Sequence, residues 1–452
     1  MTTFIKPNLD HPIDSRQDLV AYLSRGVKPR RDWGIGAEME KLVVDAETGR
    51  AASYPRIRAL LELLLADGAW SGIYEGPNLI ALKDASSSVT LEPGGQLELS
   101  GALCADIHCC QKGFSQHIDG IIRAGRTLGL RFLGLGVQPF SRLQEIGWVP
   151  KARYDIMGPY MQHTGDMGQR MMKQSAGLQV NFDYSSEEDC FRKLRLAFHL
   201  SPLFYALFAN SPLMDGIPSG FLSTRGEIWA RTDADRSGLV PRLLLPGATF
   251  NDYADYALDV PMYFIIRDGQ YVDFTRERFT FRRYLADGFG PHRATLGDWD
   301  LHLSTLFPEA RLRPHIEIRS ADSLPSRATL AVAALVKGIF YDEQALADSL
   351  ALFETVDTET FAILYRQSWR LGLQTPFGAG TLQTLALDIL AIARDSLRRQ
   401  RALDEEGQDE TVYLQDVEEI AVTGKTLAER LLERWQGSHE DKLNALYAHC
   451  GF

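Results

Sequence analysis

The chain has 452 residues, 45% of them hydrophobic and 24% charged, enough for one large core or two to three smaller ones. Lys and Arg total 48 against 59 Asp and Glu, and a formal charge of -11 gives no general attraction for nucleic acid or anionic lipid. No apolar run reaches bilayer-spanning length, and the opening "MTTFIKPNLD" lacks the apolar segment of a signal peptide, so the cytoplasm is the expected compartment.

"SRQDLVAYLSRG" (Ser15 to Gly26) predicts a capped helix closed by glycine. "WGIGAEMEKLVV" (Trp33 to Val44) predicts a strand that carries Glu38 and Glu40 inside an apolar run. A helix follows in "YPRIRALLELLLADGAW", ending near Gly68, then the strand-like runs "WSGIY", "NLIALK" and "SSSVTLEPGGQLELS". Neighbours this short pair most easily as antiparallel strands. "CADIHCCQKGFSQHIDGIIRAGRTLG" reads as a long helix, and "LRFLGLGVQP" and "SAGLQVNFDYS" read as strands. "EEDCFRKLRLAFHLSPLFYALFAN" reads as an apolar helix with Pro202 at a boundary or kink.

From about Ser211 to Thr295 the chain is rich in loops, glycine and aromatics, the composition of an active-site rim. "LRPHIEIRSAD" (Leu312 to Asp322) is the last clear strand, and from Ser326 onward the chain is nearly all helix. The expected class is α+β, a predominantly antiparallel sheet with helices outside it and a helical tail. It forms one large unit over residues 1–452, with a sheet-bearing core at 15–325 and a helical region at 326–452.

The cysteines are Cys104, Cys109, Cys110, Cys190 and Cys450, an odd and sparse set that implies no disulfide framework. Cys109 and Cys110 have no second pair at metal-ligand spacing and read as helix or core thiols. An adjacent pair rarely closes an unstrained disulfide, which leaves redox control through Cys104, Cys109 or Cys110 open.

Strand side chains alternate with period two. Glu38 and Glu40 therefore share a face, as do Gln179, Asn181 and Asp183, and Glu317 with Arg319. Glu92 and Glu98 have matching parity if their segment is extended, although Pro93-Gly94-Gly95 makes a bulge there. Ile35, Ala37, Met39, Ile316 and Ile318 fall on the opposite faces and suit a core. One such carboxylate pair is ordinarily a solvated face, and Glu317 with Arg319 could be a surface pair worth roughly 0–1 kcal/mol. Four segments sharing one cleft are different, because two carboxylates about 4 Å apart repel by roughly 4 kcal/mol at an effective dielectric near 20. Such a cleft protonates some carboxylates or recruits cations. Divalent magnesium fits, being hard, oxygen-bound and able to keep positions open for phosphates. Magnesium implies phosphate chemistry, with Arg319 as a fixed positive clamp. No P-loop pattern GxxxxGK[ST] occurs.

The blocks "GAEMEKLVV", "NLIALK", "VTLEPGGQLELSG", "FLGLGVQP", "VPKARYDIM", "QVNFDYSSEEDC", "ALFANSP", "YALDVPMYF" and "EIRSAD", in this order, resemble the plant and proteobacterial type of glutamate–cysteine ligase. That resemblance implies a glutamine-synthetase-like fold whose sheet forms a funnel-shaped active site. It also implies ATP-dependent joining of the glutamate γ-carboxylate to the cysteine amine through γ-glutamyl phosphate. The implied partners are glutamate, cysteine and ATP, with two or three magnesium ions, no nucleic acid and no membrane, in a monomer or homodimer.

Carried over, Glu38, Glu40, Glu98 and Glu317 are similar to metal ligands, and Glu92 to a metal or substrate group. Asn181 corresponds to a group near nucleotide phosphate, and Arg319 to the phosphate clamp. Arg225 and Arg236 are weaker candidates for substrate carboxylates, and Tyr154 and Met157 for the pocket lining. The family's usual "G-T-E-H-E-K-F" is here "GAEMEKL", with Met39 for histidine and Leu42 for phenylalanine. The loops at Asp84-Ala85 and Glu75 to Asn78 also depart, which leaves open an acceptor other than cysteine. A non-catalytic homologue that binds amino acid or nucleotide is the remaining alternative.

Overall fold

The computed structural model describes residues 9–452; most of "MTTFIKPNLD" therefore lies outside the described residues. Nine strands form the central sheet: β1 (Gly36–Asp45), β2 (Ser71–Glu75), β3 (Asn78–Lys83), β4 (Ser88–Leu91), β5 (Leu97–Ser100), β6 (Leu130–Leu133), β7 (Gly177–Phe182), β8 (Ala310–Arg313) and β9 (His315–Asp322). The spatial order is β8-β9-β7-β1-β5-β4-β3-β2, and β6 pairs with the second half of β1. Every ladder in this sheet is antiparallel. A small parallel pair elsewhere joins Ser237-Gly238 to Phe307-Pro308.

Two parts of the expected architecture are corrected. The fold is α+β but mostly helical, 49% helix against 20% strand, and among the described residues no sheet closes into a funnel or barrel. The central sheet is open because its terminal strands β8 and β2 are not hydrogen-bonded to each other. Helices that pack over it, not curvature into a closed wall, enclose the polar face.

The helices of the fold include α1 (Arg16–Ser24), α2 (Tyr54–Ala66), α3 (Ile107–Thr127), α4 (Glu187–Leu207), α5 (Thr224–Ala230), α6 (Ser326–Phe340), α7 (Thr358–Leu371) and α8 (Leu382–Gln400). Pro202 neither ends nor bounds α4, which continues to Leu207. Asp106 caps α3 by accepting from Cys109 N, and Asp357 caps α7 through Glu359 N and Thr360 N. Nearly all of α6 is buried, which matches its composition of Ala, Val and Leu.

The two faces of β1 diverge along its length. Met39 and Val43 enter the main core on one face. On the other, Glu38 and Glu40 give way to Leu42 and Val44, which pack against Leu431, Leu446 and Cys450 from the C-terminal helices. One strand thus carries the polar patch and its apolar border. Lys41 is also wholly buried on the core face, where Nζ donates to Met39 O at 3.1 Å.

The rim composition of residues 211–295 mostly serves packing. Phe250, Tyr253, Phe274, Phe281 and Tyr284 are core residues. His302 is buried beside Phe281 and donates from Nε2 to Ala257 O at 2.8 Å. Burial holds its imidazole down to about 3. An unfolded histidine titrates near 6.5, so this stability is complete above pH 6.5 and is lost as pH falls towards 3. His302→Gln is expected to flatten the acid side of the stability curve by roughly 1.4 kcal/mol per pH unit. Urea midpoints at pH 7 and 5.5 measure this, and parallel slopes for both proteins would contradict it.

Candidate active site

Register brings the acidic residues together. Across β1 and β5, Glu40 stands directly opposite Glu98, and Glu38 opposite Ser100. Across β1 and β7, Glu38 faces Gln179, and across β7 and β9, Asn181 faces Glu317. Opposed residues of an antiparallel pair share a face, so Glu38, Glu40, Glu98, Gln179, Asn181 and Glu317 form one polar patch.

Their electrostatics differ. Glu38 Oε1 accepts from Asn181 Nδ2 at 3.1 Å, while Glu38 Oε2 and Asn181 Oδ1 are buried without a donor. Burial, then Glu317 and Glu98, push the Glu38 carboxyl up to about 7. Glu40 accepts from Gly177 N at 2.6 Å and Gln179 Nε2 at 3.0 Å. Burial and then Glu98 still raise its carboxyl above the usual range. Glu98 Oε1 accepts from Thr90 and Ser100 hydroxyls at 3.3 and 3.0 Å.

Glu317 is the opposite case. Its Oε2 accepts from Arg311 Nε and Nη2 at 3.1 and 2.6 Å, and its Oε1 accepts from Arg319 Nη1. Against the upward push of burial, these two guanidiniums hold its carboxyl down to about 2. Any cation at Glu317 would therefore share this carboxylate with two guanidiniums.

Oxygen donors in a low-dielectric patch, two of them unmet, suit a hard divalent cation and not zinc or another soft metal. Among the described residues no three His, Cys, Asp or Glu side chains form a ready-made cage. The carboxylates come from three strands, Glu98 on β5, Glu38 and Glu40 on β1 and Glu317 on β9, a spread suited to magnesium, which takes few protein ligands and completes its shell with water or phosphate oxygens.

A narrow cavity of about 70 Å³ opens on this patch, bordered by Glu40, Glu92, Glu98, Gln179, Arg225 and Arg319. Tyr154, Met157 and Trp229 supply its apolar side. A wider groove of about 720 Å³ adjoins it, with Tyr154 bordering both. Glu75 and Asn78 of the divergent hairpin line that groove. Asp84 instead accepts from Ser86 N and Ser87 N in its own turn.

Arg225, on α5, is buried. Its Nη2 donates to Arg319 O at 2.9 Å, and its Nε and Nη1 have no acceptor. A Cβ on Gly177 would lie 2.6 Å from its Nη2, so only glycine lets the guanidinium rest on this backbone. The "EPGG" turn has a similar reason: Gly95 has φ +87°, and a Cβ on Gly94 would meet Lys173 O at 2.2 Å.

Arg236 is not brought to the cavity. It is fully buried, with Nε on Asp233 Oδ2 at 2.6 Å, Nη1 on Thr305 O at 3.2 Å and Nη2 on Pro261 O at 2.8 Å. Arg236→Ala is expected to cost about 3–5 kcal/mol of stability by stranding buried Asp233. Glutamate KM of the folded fraction should stay unchanged; denaturant midpoints and steady-state kinetics check both.

The sequence reading missed three residues. Arg311 stands opposite Glu317 in the tight hairpin around Pro314, a pairing that hairpin register could have revealed. Gln96 Nε2 donates to Ser175 O at 2.7 Å, tying the "EPGG" turn to the chain entering β7. Lys41 lies behind the patch. Met39, which replaces the family's histidine, faces the core. The chain also has one disulfide, Cys104–Cys109, where the sparse count implied none, while Cys110 is a free thiol.

A family model described as Glutamate-cysteine ligase family 2 matches residues 34–449. The chain is 40% identical over 437 residues to a chloroplastic glutamate–cysteine ligase of Brassica juncea, covering 96% of this chain and 83% of that protein. It is 39% identical over 436 residues to that of Arabidopsis thaliana, covering 96% and 82%. The crystal structure of a glutamate–cysteine ligase from Francisella tularensis in complex with AMP is similar in fold, with TM-score 0.54 and 12% identity over 92% of this chain and 88% of that one. The chloroplastic relatives overturn the cytoplasm as the expected compartment. Among the described residues no helix is long and apolar enough to cross a membrane.

Proposed function

Because the chain belongs to glutamate-cysteine ligase family 2, we propose that its acidic strand face is the phosphoryl-transfer centre of the reaction. The protein is an ATP-dependent carboxylate–amine ligase that joins glutamate to cysteine and forms γ-glutamylcysteine for glutathione biosynthesis. Catalysis in this family depends on ATP and magnesium.

In our reading Glu38, Glu40, Glu98 and Glu317 would hold two or three magnesium ions, with Asn181 beside them. Magnesium held by these residues would supply positive charge to offset the triphosphate oxygens. The γ-carboxylate of glutamate attacks the terminal phosphorus of ATP, the bond to the ADP oxygen breaks, and γ-glutamyl phosphate forms. The cysteine amine then attacks the activated carbonyl, a C–N bond replaces the C–O bond, phosphate leaves, and the amine gives up a proton. Arg319 swings its donors from Glu317 to the transferring phosphoryl oxygens. The two unused donors of Arg225 take a glutamate carboxylate. Glu92 acts on metal or substrate from the cavity wall, and Tyr154 and Met157 shape the substrate pocket. Residues 15–325 and the helices of 326–452 work as one catalytic unit, which needs no nucleic acid or membrane and is compatible with a monomer or a homodimer.

One observation carries this reading. Glu38 and Asn181 hold unmet buried acceptors on the acidic face, and Arg225 holds unmet buried donors on the wall of the cavity that Glu40 and Glu98 of that face also line, a demand for a cation and an anion together. Glutamate with ¹⁸O in its γ-carboxylate tests the chemistry: one labelled oxygen should appear in the released phosphate. Unlabelled phosphate would exclude the acyl phosphate.

A further inference from the structure

The ladder between β7 and β9 is interrupted at one place. Ile318 pairs with Val180 and Ala321 with Leu178, so Arg319 and Ser320 together stand opposite Gln179 alone. This is a β-bulge, a device that re-aims a side chain. Alternation on β9 holds through Arg319, which shares the face of Glu317 and borders the cavity, and fails just after it, where Ala321 enters the core.

Three hydrogen bonds hold the bulge. Arg319 N donates to Glu309 O at 3.2 Å, and Arg319 O accepts from Arg225 Nη2 at 2.9 Å. Ser320 Oγ donates to Glu309 Oε2 at 2.6 Å. Glu309 therefore grips both bulge residues, one by its backbone and one by its carboxylate. It is buried, and its other oxygen accepts from Tyr205 OH of α4 at 3.0 Å and from Tyr365 OH of α7. Burial and then Glu309 push both phenols well above their usual range, so both remain donors.

Helix α7 also contacts the helix that carries Arg225. Trp369 O accepts from Leu222 N and Ser223 N at 3.0 and 2.9 Å, at the start of α5, and Trp369 Nε1 donates to Glu227 at 3.1 Å. A Cβ on Gly226 would lie 2.7 Å from Trp369, so the helices meet closely beside Arg225.

We propose that Glu309, fixed by the hydroxyls of Tyr205 and Tyr365, is a positioning residue that holds the β9 bulge and aims Arg319 into the cavity. Tyr365 of α7, remote in sequence from every acidic strand, thereby acts on the site through Glu309. The inference rests on the reading of Arg319 as the phosphate clamp.

Tyr365→Phe and Ser320→Ala, made separately in the full chain, test it. Each is expected to lower kcat about ten- to a hundredfold while glutamate KM stays near wild type, because a misplaced clamp loses transition-state contacts first. In an Arg319→Lys background either change should cost less than about twofold more, the non-additivity of groups acting through one another. Phe361→Leu, on the same helix, serves as the packing control and should lower the urea midpoint without changing the kcat of folded protein. Wild-type kcat for Ser320→Ala, additive losses with Arg319→Lys, or a loss explained by the unfolded fraction would each overturn the proposal. Full activity of Arg319→Ala would instead sink the clamp reading beneath it.

Discussion

Glu38→Ala is expected to lower kcat by at least about 100-fold, equivalent to roughly 3 kcal/mol of transition-state stabilisation. The folded protein itself should survive. Glu38 is crowded by Glu317 and Glu98, and its Oε2 has no donor, so removing the carboxylate relieves like-charge crowding. Without magnesium, the variant should melt at or above the wild-type temperature, the pattern of a site that gives up stability for function. The melting shift that magnesium produces should shrink with it, because an ion that binds only the native state stabilises by mass action. Kinetics and thermal melts with and without magnesium read this together. A variant that keeps both turnover and the magnesium shift would remove Glu38 from the metal site.

Arg319→Ala is expected to reduce kcat by about 10²–10³ with little change in glutamate KM, the loss typical of one preorganised group at developing charge. Arg319→Lys should recover only part of it, because an ammonium lacks the planar fork. The stability cost should be smaller than for an isolated buried pair, since Glu317 retains two hydrogen bonds from Arg311. A raised KM with unchanged kcat would show that Arg319 serves ground-state binding and not transfer.

The acidic face was legible from β1 because alternation is local: Glu38 and Glu40 flank Met39, and the core side of the strand is apolar. The parity of Glu98 was legible for the same reason once "LELS" was read as a strand. The same reasoning failed at Arg236, where a buried Asp233 three residues away uses the guanidinium inside the fold. At Glu317 it reached the Arg319 partner on the same strand and not the second arginine, Arg311, across the hairpin. A strand's own sequence does not state what lies across the sheet. The open sheet was equally hidden, since nothing in one strand records whether the first and last strands of a sheet will meet.

The order of residues by itself determined the strand faces, the glycine-dependent turns and the family blocks, because each depends on backbone geometry within a few residues. Tertiary structure alone decided that Arg311 pairs with Glu317, that a bulge interrupts β9 at Arg319 and Ser320, and that Tyr365 bonds the Glu309 beside that bulge. Those contacts arise from strand register and helix packing between distant segments, and such partners are chosen only when the whole chain has closed around them.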